Sequence, residues 1–460
     1  MPHFDIEYND GKDSPPQRTE SFTISIIAKI FRVATSIFTE MSLFCHWIGV
    51  KFVRVAGMIV EYNPLHSGHL HLLEETRHLL GPDTAIVCAM SGNFVQRGDF
   101  ALVRKHQRAR AAVESGADLV LELPLPWAVS SAEAFADGGV QVLSAAGVVT
   151  DLAFGSECGE AAPLMELADC LLSPAYPKEL RRRLDSGLPY AACRQAAVEA
   201  LMGPEKAALL ESPNNILGVE YCKALLRRGS VLRPLSIRRE GSTHDGALAP
   251  GTHPSASALR ALLRQGETEL AMSLLPPAMR RVYQEERAAG RAPVFAETCE
   301  RAVLARLRAM TEADFFVLDQ GKEGLCHRLY EAVHSAATLE EVLAAAKTKR
   351  YAYARLRRMV LWAYLGLTPA DVPETMPYLR PLAANETGRR LLARMRRSAA
   401  VPVLTKPADG RKLGAEARRL LALEARATDL YTLAYPDLTA AQSGGEWREG
   451  PVILGGPSPC

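Results

Sequence analysis

From Val53 onward one pattern recurs: a short, almost continuously apolar run, then a stretch with helical periodicity. "VAGMIV" (55–60) precedes a segment that places Leu70, Leu73, Thr76 and Leu80 on one face and stops at Gly81-Pro82. "DTAIVCAM" is followed by the helical "KHQRARAAVESGA", and "DLVLELP" by "SSAEAFADGGVQVLSAAG", which opens with a capping-box pattern, Ser130 then Glu133. "VTDLAFGSE" is the fourth strand-like run. Strands this apolar need cover on both faces, and their alternation with helices predicts an α/β domain built on a parallel sheet.

Beyond it, residues 162–210 read as a helical, basic insertion. The α/β pattern resumes with the helix "ESPNNILGVEYCKALLRRGS", the strand "VLRPLSIRR" and the helix "HPSASALRALLRQG", with Ser255 or Ser257 as its N-cap. From Pro276 strands become scarce while Ala, Leu, Arg and Glu dominate. A chain of 460 residues exceeds the usual size of a single core. The expected organisation is an N-terminal extension outside the fold (1–51), a Rossmann-like domain (52–275), a mainly helical, basic C-terminal domain (276–440) and a flexible Gly/Pro-rich tail (441–460).

Composition excludes several classes. The nine cysteines form no CxxC pair and no zinc-spaced cluster, which argues against a disulfide framework and for a reducing, cytoplasmic setting. The apolar stretch between Ser21 and Phe52 is interrupted by Lys29, Arg32, Glu40 and His46, so no membrane span is expected. Net charge is only +2, yet arginines cluster at Arg181–Arg183, Arg394–Arg397 and Lys347–Arg358, where an anionic partner such as RNA fits.

The chemistry-bearing stretch is His66-Ser67-Gly68-His69, placed where the first strand becomes a helix. In a parallel sheet ligands sit beyond the strands' carboxyl ends, and the next helix offers N–H groups and partial positive charge to phosphate. Two imidazoles there can donate to α-phosphate oxygens as a nucleophile attacks. Gly68 allows close approach of a base or ribose. Taken alone, the bare pair reads first as a capped strand–helix turn, and without HExxH or a nearby cysteine it does not read as a zinc site. By themselves Ser255, Ser257 and Arg260 fit simple helix capping plus a surface charge.

"GMIVEYNPLHSGHL" resembles the HxGH signature of the nucleotidyltransferase superfamily, and "PSASALR" its second, hydroxyl-rich motif ending in arginine. Further blocks narrow the resemblance: "MSGNFVQRGDFALVRKHQRARAAVESGADLVLELP", "FGSE", "SPNNILGVEY", "IRRE" with His244-Asp245, and "TKRYAYARLRR". In order, they are similar to the tRNA(Met) cytidine acetate ligase family. The chain has Leu65 and Ser67 where Phe and Asn are expected, and begins with a longer extension than members carry.

The resemblance implies a Rossmann-like nucleotidyltransferase fold and an enzyme that uses ATP to activate acetate as acetyl-adenylate. The acetyl group then passes to N4 of the wobble cytidine of elongator tRNA(Met), leaving AMP and pyrophosphate. By that resemblance His66 and His69 are catalytic. ATP is held by Ile59, Val60, Glu61, Tyr62, Asn63, Pro64, Leu65, His66, Ser67, Gly68, His69, Leu70, His71 and Leu72, with Gly155, Asn214 or Asn215, Arg239, Ser257 and Arg260. Lys105 is a candidate further cation, or part of a solvated helix face.

Mg2+ is expected with ATP, held by phosphates and water, since no metal-ligand cluster is evident. Lys347, Lys349, Arg350, Tyr351, Tyr353, Arg355, Arg357 and Arg358 combine phosphate-neutralising charge with rings able to stack on unpaired bases, so they are the candidate tRNA surface. A basic helix with its tyrosines buried fits the same composition. No obligate protein partner is inferred. The alternatives are a small-molecule adenylyltransferase, which would not need the basic C-terminal half, and a catalytically silent RNA-binding protein. An aminoacyl-tRNA synthetase should show a KMSKS-like loop, which is not evident.

Overall fold

Five parallel strands, β1 (Val55–Val60), β2 (Ala85–Ser91), β5 (Leu119–Leu123), β6 (Asp151–Ser156) and β7 (Arg233–Arg238), lie in the order β7-β6-β1-β2-β5. The computed structural model describes residues 54–185, 189–239, 254–319, 324–349 and 351–455, which fall in the compact unit Val53–Cys460. Residues 1–51, His244-Asp245, Arg350 and the last five residues of the expected tail lie outside the described residues.

The strands alternate their side chains between two cores. Ala85, Val87 and Ala89 of β2 enter one, against helices α3 (Ala132–Ala145) and α4 (Pro213–Arg228); Ile86, Cys88 and Met90 enter the other, against α1 (Ser67–Leu80), α2 (Lys105–Glu114) and α5 (Ala256–Arg264). All six residues of β1 and all seven of β2 are buried, as a sheet covered on both faces requires. Close packing of α3 depends on Gly138 and Gly139, where an added Cβ would meet Trp127 at 2.4 Å and Ile59 at 2.5 Å.

Two features depart from the sequence reading. The region expected to be helical and the expected flexible tail each add a strand to the same sheet: β8 (Pro381–Ala384) pairs antiparallel with β5, and β9 (Val452–Ile453), in the tail, follows parallel to β8. At the start of α3 the cap is Ser131, whose side chain accepts from the Ala134 N–H, whereas Ser130 Oγ donates to the Pro126 carbonyl. Ser255 caps α5, accepting from the Ala258 N–H at 3.1 Å.

A third core gathers the later helices, including α6 (Tyr353–Leu365) and α8 (Ala415–Thr432). Into it reach Phe94 and Phe100, from the two short strands β3 (Phe94–Val95) and β4 (Asp99–Phe100) of a hairpin that follows β2. Strand order reverses between β1 and β6, and the crevice beyond their carboxyl ends is the position where such sheets bind ligands. Among the described residues no helix is long and apolar enough to cross a membrane.

Candidate active site

β1 ends at Val60, and the chain reaches α1 through Glu61–His66. Tyr62 holds φ 48°, the one positive φ of a non-glycine residue among the described residues, and the Asn63-Pro64 peptide is cis. A tyrosine at positive φ persists only where neighbours over-determine it. Here the Asn63 side chain accepts from the Leu102 N–H at 2.7 Å and donates to the Phe100 carbonyl at 3.4 Å. Buried Arg108 of α2 donates to the carbonyls of Glu61, Ser91, Gly92 and Val103.

The loop turns His66 and His69 together, their rings stacked with centroids 3.7 Å apart. His69 Nδ1 accepts from the His66 backbone N–H at 3.2 Å. That bond leaves the proton on Nε2, a donor for a ligand oxygen. Withdrawal from water, and then the charges of His66 and Arg239, hold the His69 imidazole well below its ordinary range, so it is neutral at pH 7.

A cavity of ≈ 340 Å³ opens at this point. Ile59, Val60, Glu61, Tyr62, Asn63, His66, His69, Leu72, Gly155, Asn214, Arg239, Ser257 and Arg260 all line it. The other residues of the expected set do not. Leu65 is fully buried in the core, and Pro64, Ser67, Gly68, Leu70 and His71 are absent from the lining. Arg260 unites the two motifs across 197 positions: its Nη1 donates to the Asn63 carbonyl at 2.6 Å, and its Nε lies 3.8 Å from Asp99. At Gly155 an added Cβ would meet the Arg239 side chain at 3.0 Å, so glycine lets that arginine cross the end of β6.

The adjacent asparagines separate. Asn214 lines the cavity; Asn215 is buried and accepts from the Cys158 N–H at 3.1 Å. Neither caps α4. The Glu157 carboxylate does, accepting from the backbone N–H groups of Asn214 and Asn215 and from Asn214 Nδ2 at 2.7 Å, which explains why "FGSE" and "SPNN" occur together.

Lys105 is neither a cavity cation nor solvated. It is buried, with Nζ 2.6 Å from both Glu122 and Glu446, and Arg380 pairs with Glu446 beside it. Glu122, Glu424 and Glu446 have metal-like spacing, but these two cations neutralise the cluster away from the cavity. Among the described residues that line the cavity, Glu61 is the one carboxylate. Burial raises its pKa although the Gln96 N–H and nearby arginines oppose this. This donor set suits a polyanion, and among the described residues it offers no carboxylate cage for Mg2+.

Sequence reasoning did not assign Gln96 and Arg97, which line the cavity from the tip of the β3–β4 hairpin, nor the apolar wall of Phe135, Phe154 and Tyr221. The signal for the first pair was the quoted "SGNFVQRG" loop; the aromatic wall had none, because its members come from α3, β6 and α4.

Of the candidate RNA surface, Tyr351 is 5% exposed and sits in the helical core, so it does not stack on a base. Tyr353 is 43% exposed, with Lys347 Nζ 5.6 Å from its ring centroid. Lys349 and Arg357 are exposed, Arg355 is half-buried over the Tyr351 ring, and Arg358 donates to the Gln96 carbonyl at 3.2 Å. Trp362 Nε1 also donates to the Val129 carbonyl at 2.8 Å, so α6 is bonded to the α/β layer twice.

The sequence matches the model of the family HIGH Nucleotidyl Transferase over residues 53–446. A tRNA(Met) cytidine acetate ligase of Acetivibrio thermocellus is 36% identical over 420 residues, covering 87% of this chain and all of that relative. One from Syntrophomonas wolfei is 36% identical over 416 residues, covering 87% of this chain and 99% of the relative. This chain belongs to the tRNA(Met) cytidine acetate ligase family. Among solved structures, apo Thermotoga maritima TmcAL superposes with a TM-score of 0.83 at 32% identity, and the same protein bound with alpha-thio ATP with 0.81. Each covers 87% of this chain and 100% of that one. The family's HxGH and serine-arginine motifs are the two elements that Arg260 brings together here.

Proposed function

We propose that this chain is an ATP-dependent ligase that forms acetyl-adenylate from acetate and ATP, and acetylates N4 of the wobble cytidine of elongator tRNA(Met). The observation that carries this reading is the convergence, in one cavity, of His66, His69, Arg239, Arg260 and the N-terminal ends of α1 and α5. That arrangement is complementary to a triphosphate.

Acetate is a poor electrophile until its carboxylate oxygen attacks the α-phosphorus; the new O–P bond replaces the bond to pyrophosphate. Charge grows on the α-phosphate as it does so, and the neutral His69 donates to it through Nε2–H. Arg260 and Ser257 hold the departing phosphates, Asn214 and Gly155 face the nucleoside, and the aromatic wall receives the base. Mg2+, held by phosphates and water, would offset triphosphate charge when bound. In the second step the cytidine N4 attacks the acetyl carbonyl, AMP leaves and N4 loses a proton; the protein's contribution is position. Residues 52–275 would carry the nucleotide chemistry and 276–440 the hold on tRNA, in the cytoplasm.

The test is release of AMP and pyrophosphate with and without acetate and elongator tRNA(Met). Absence of acetate dependence with the cognate tRNA present would sink the reading. His69→Ala should slow adenylate formation by about 10²-fold or more, the scale of a lost oxyanion donor, while tRNA affinity stays near wild type.

A further inference from the structure

The β3–β4 hairpin has its base in one part of the molecule and its tip in another. At the base, Phe94 and Phe100 pack edge-to-face at 4.8 Å inside the helical core, where the Tyr431 ring lies 5.8 Å from Phe94 and 6.2 Å from Phe100. At the tip, Gln96 and Arg97 line the nucleotide cavity.

The tip is fixed from three sides. The Gln96 backbone N–H donates to Glu61 Oε1 at 2.6 Å, its side-chain amide to the Ser130 carbonyl at 3.2 Å, and its carbonyl accepts from Arg358 of α6. Gly98 then turns at φ 76° directly against α6. A Cβ there would lie 2.5 Å from the Arg358 nitrogen and 2.6 Å from the Arg357 carbonyl carbon. With Gln96 and Gly98 both held, the exposed Arg97 between them has a fixed origin. It makes no hydrogen bond or ion pair among the described residues, and acts on Glu61 and Arg260 at longer range. Its neighbour across Gly98 is exposed Arg357.

Resting on the ligase reading above, we propose that Arg97 binds the phosphodiester beside the wobble nucleotide, and that Gln96, Gly98 and Arg358 position it for acetyl transfer. The cytidine must leave its stack for N4 to reach an acetyl group held in the cavity, while its flanking phosphates stay at the rim. A guanidinium that both lines the cavity and faces solvent meets that phosphate, in register with Arg357 on the helix surface. Arg97 therefore acts on the second half-reaction, in contrast to Arg260, which is bonded into the nucleotide loop.

Two rates separate the roles: acetate-dependent ATP–pyrophosphate exchange without tRNA, and single-turnover transfer of acetyl to tRNA. Arg97→Ala should lower transfer by about 10²-fold, the scale of a misplaced reactant, and by a much larger factor than it lowers exchange; Arg97→Lys should recover part of the transfer rate. Gly98→Ala, which forces the tip off α6, should give the same split. Parallel loss of exchange and transfer in Arg97→Ala would overturn the proposal by placing Arg97 in the ATP cradle, and unchanged transfer would overturn it outright. Wild-type protein showing no acetate-dependent release of AMP and pyrophosphate with the cognate tRNA present would instead overturn the ligase reading itself.

Discussion

Asn214 and Asn215 stand side by side in one turn, yet the fold gives them different work. Asn215 satisfies the Cys158 N–H from a buried position, so Asn215→Ala leaves a backbone donor without its partner. The expected cost is about 1–3 kcal/mol, read from the urea midpoint, with ATP affinity of the folded fraction little changed. Asn214 faces the cavity, so Asn214→Ala should raise the ATP dissociation constant and leave the midpoint near wild type. Reversed effects would contradict the assignment. The same residue-scale sorting applies to Tyr351, held in the core, and Tyr353, left at the surface, which identical composition made indistinguishable in the sequence.

At the scale of elements, the buried network of Lys105, Glu122, Arg380, Glu424 and Glu446 joins the start of α2, the end of β5, the approach to β8, α8 and the short helix Gly445–Arg448. Lys105→Met leaves Glu122 and Glu446 short of a cation and should destabilise the fold by about 3–5 kcal/mol in urea unfolding. Glu424 carries a pH signature. Burial, and then the Glu122 charge, push its carboxyl up to about 7, against opposition from Lys105, the Leu125 N–H and Arg380. The folded chain thus keeps a proton that the unfolded chain releases near 4.5, and this group's contribution to stability falls as pH rises from 4.5 through 7. Glu424→Gln, which stays neutral throughout, should flatten that part of the profile of urea midpoint against pH. An unaltered slope would show that another group sets it.

For the whole molecule, the nucleotide cavity and the basic helix α6 belong to one continuous assembly, bonded through Gln96 and Val129. Replacing Lys349 and Arg357 by alanine should weaken tRNA binding and reduce its salt slope by about 0.7–0.9 for each phosphate contact removed. Tyr353→Ala should cost about 1–3 kcal/mol of affinity at an unchanged slope, because stacking releases no counterion. Wild-type affinity and slope in all of these variants would remove this surface from the interface.

The strands, the helix starts and the HxGH and serine-arginine motifs were legible in the sequence because each is written in neighbouring residues, through periodicity, capping and spacing. The strand Pro381–Ala384, the burial of Lys105 and the aromatic wall were not, since each depends on partners far along the chain, while the cap shift from Ser130 to Ser131 turns on local bonds to Pro126 and Ala134 between two adjacent serines that the capping pattern does not separate. By itself the sequence determined an α/β sheet with phosphate-directed chemistry at the first strand–helix turn. Only the tertiary structure decided which asparagine meets the cavity, which tyrosine meets solvent, and that a glycine-tipped hairpin joins the two functional surfaces, because burial and long-range hydrogen bonding are properties of what packs against a residue.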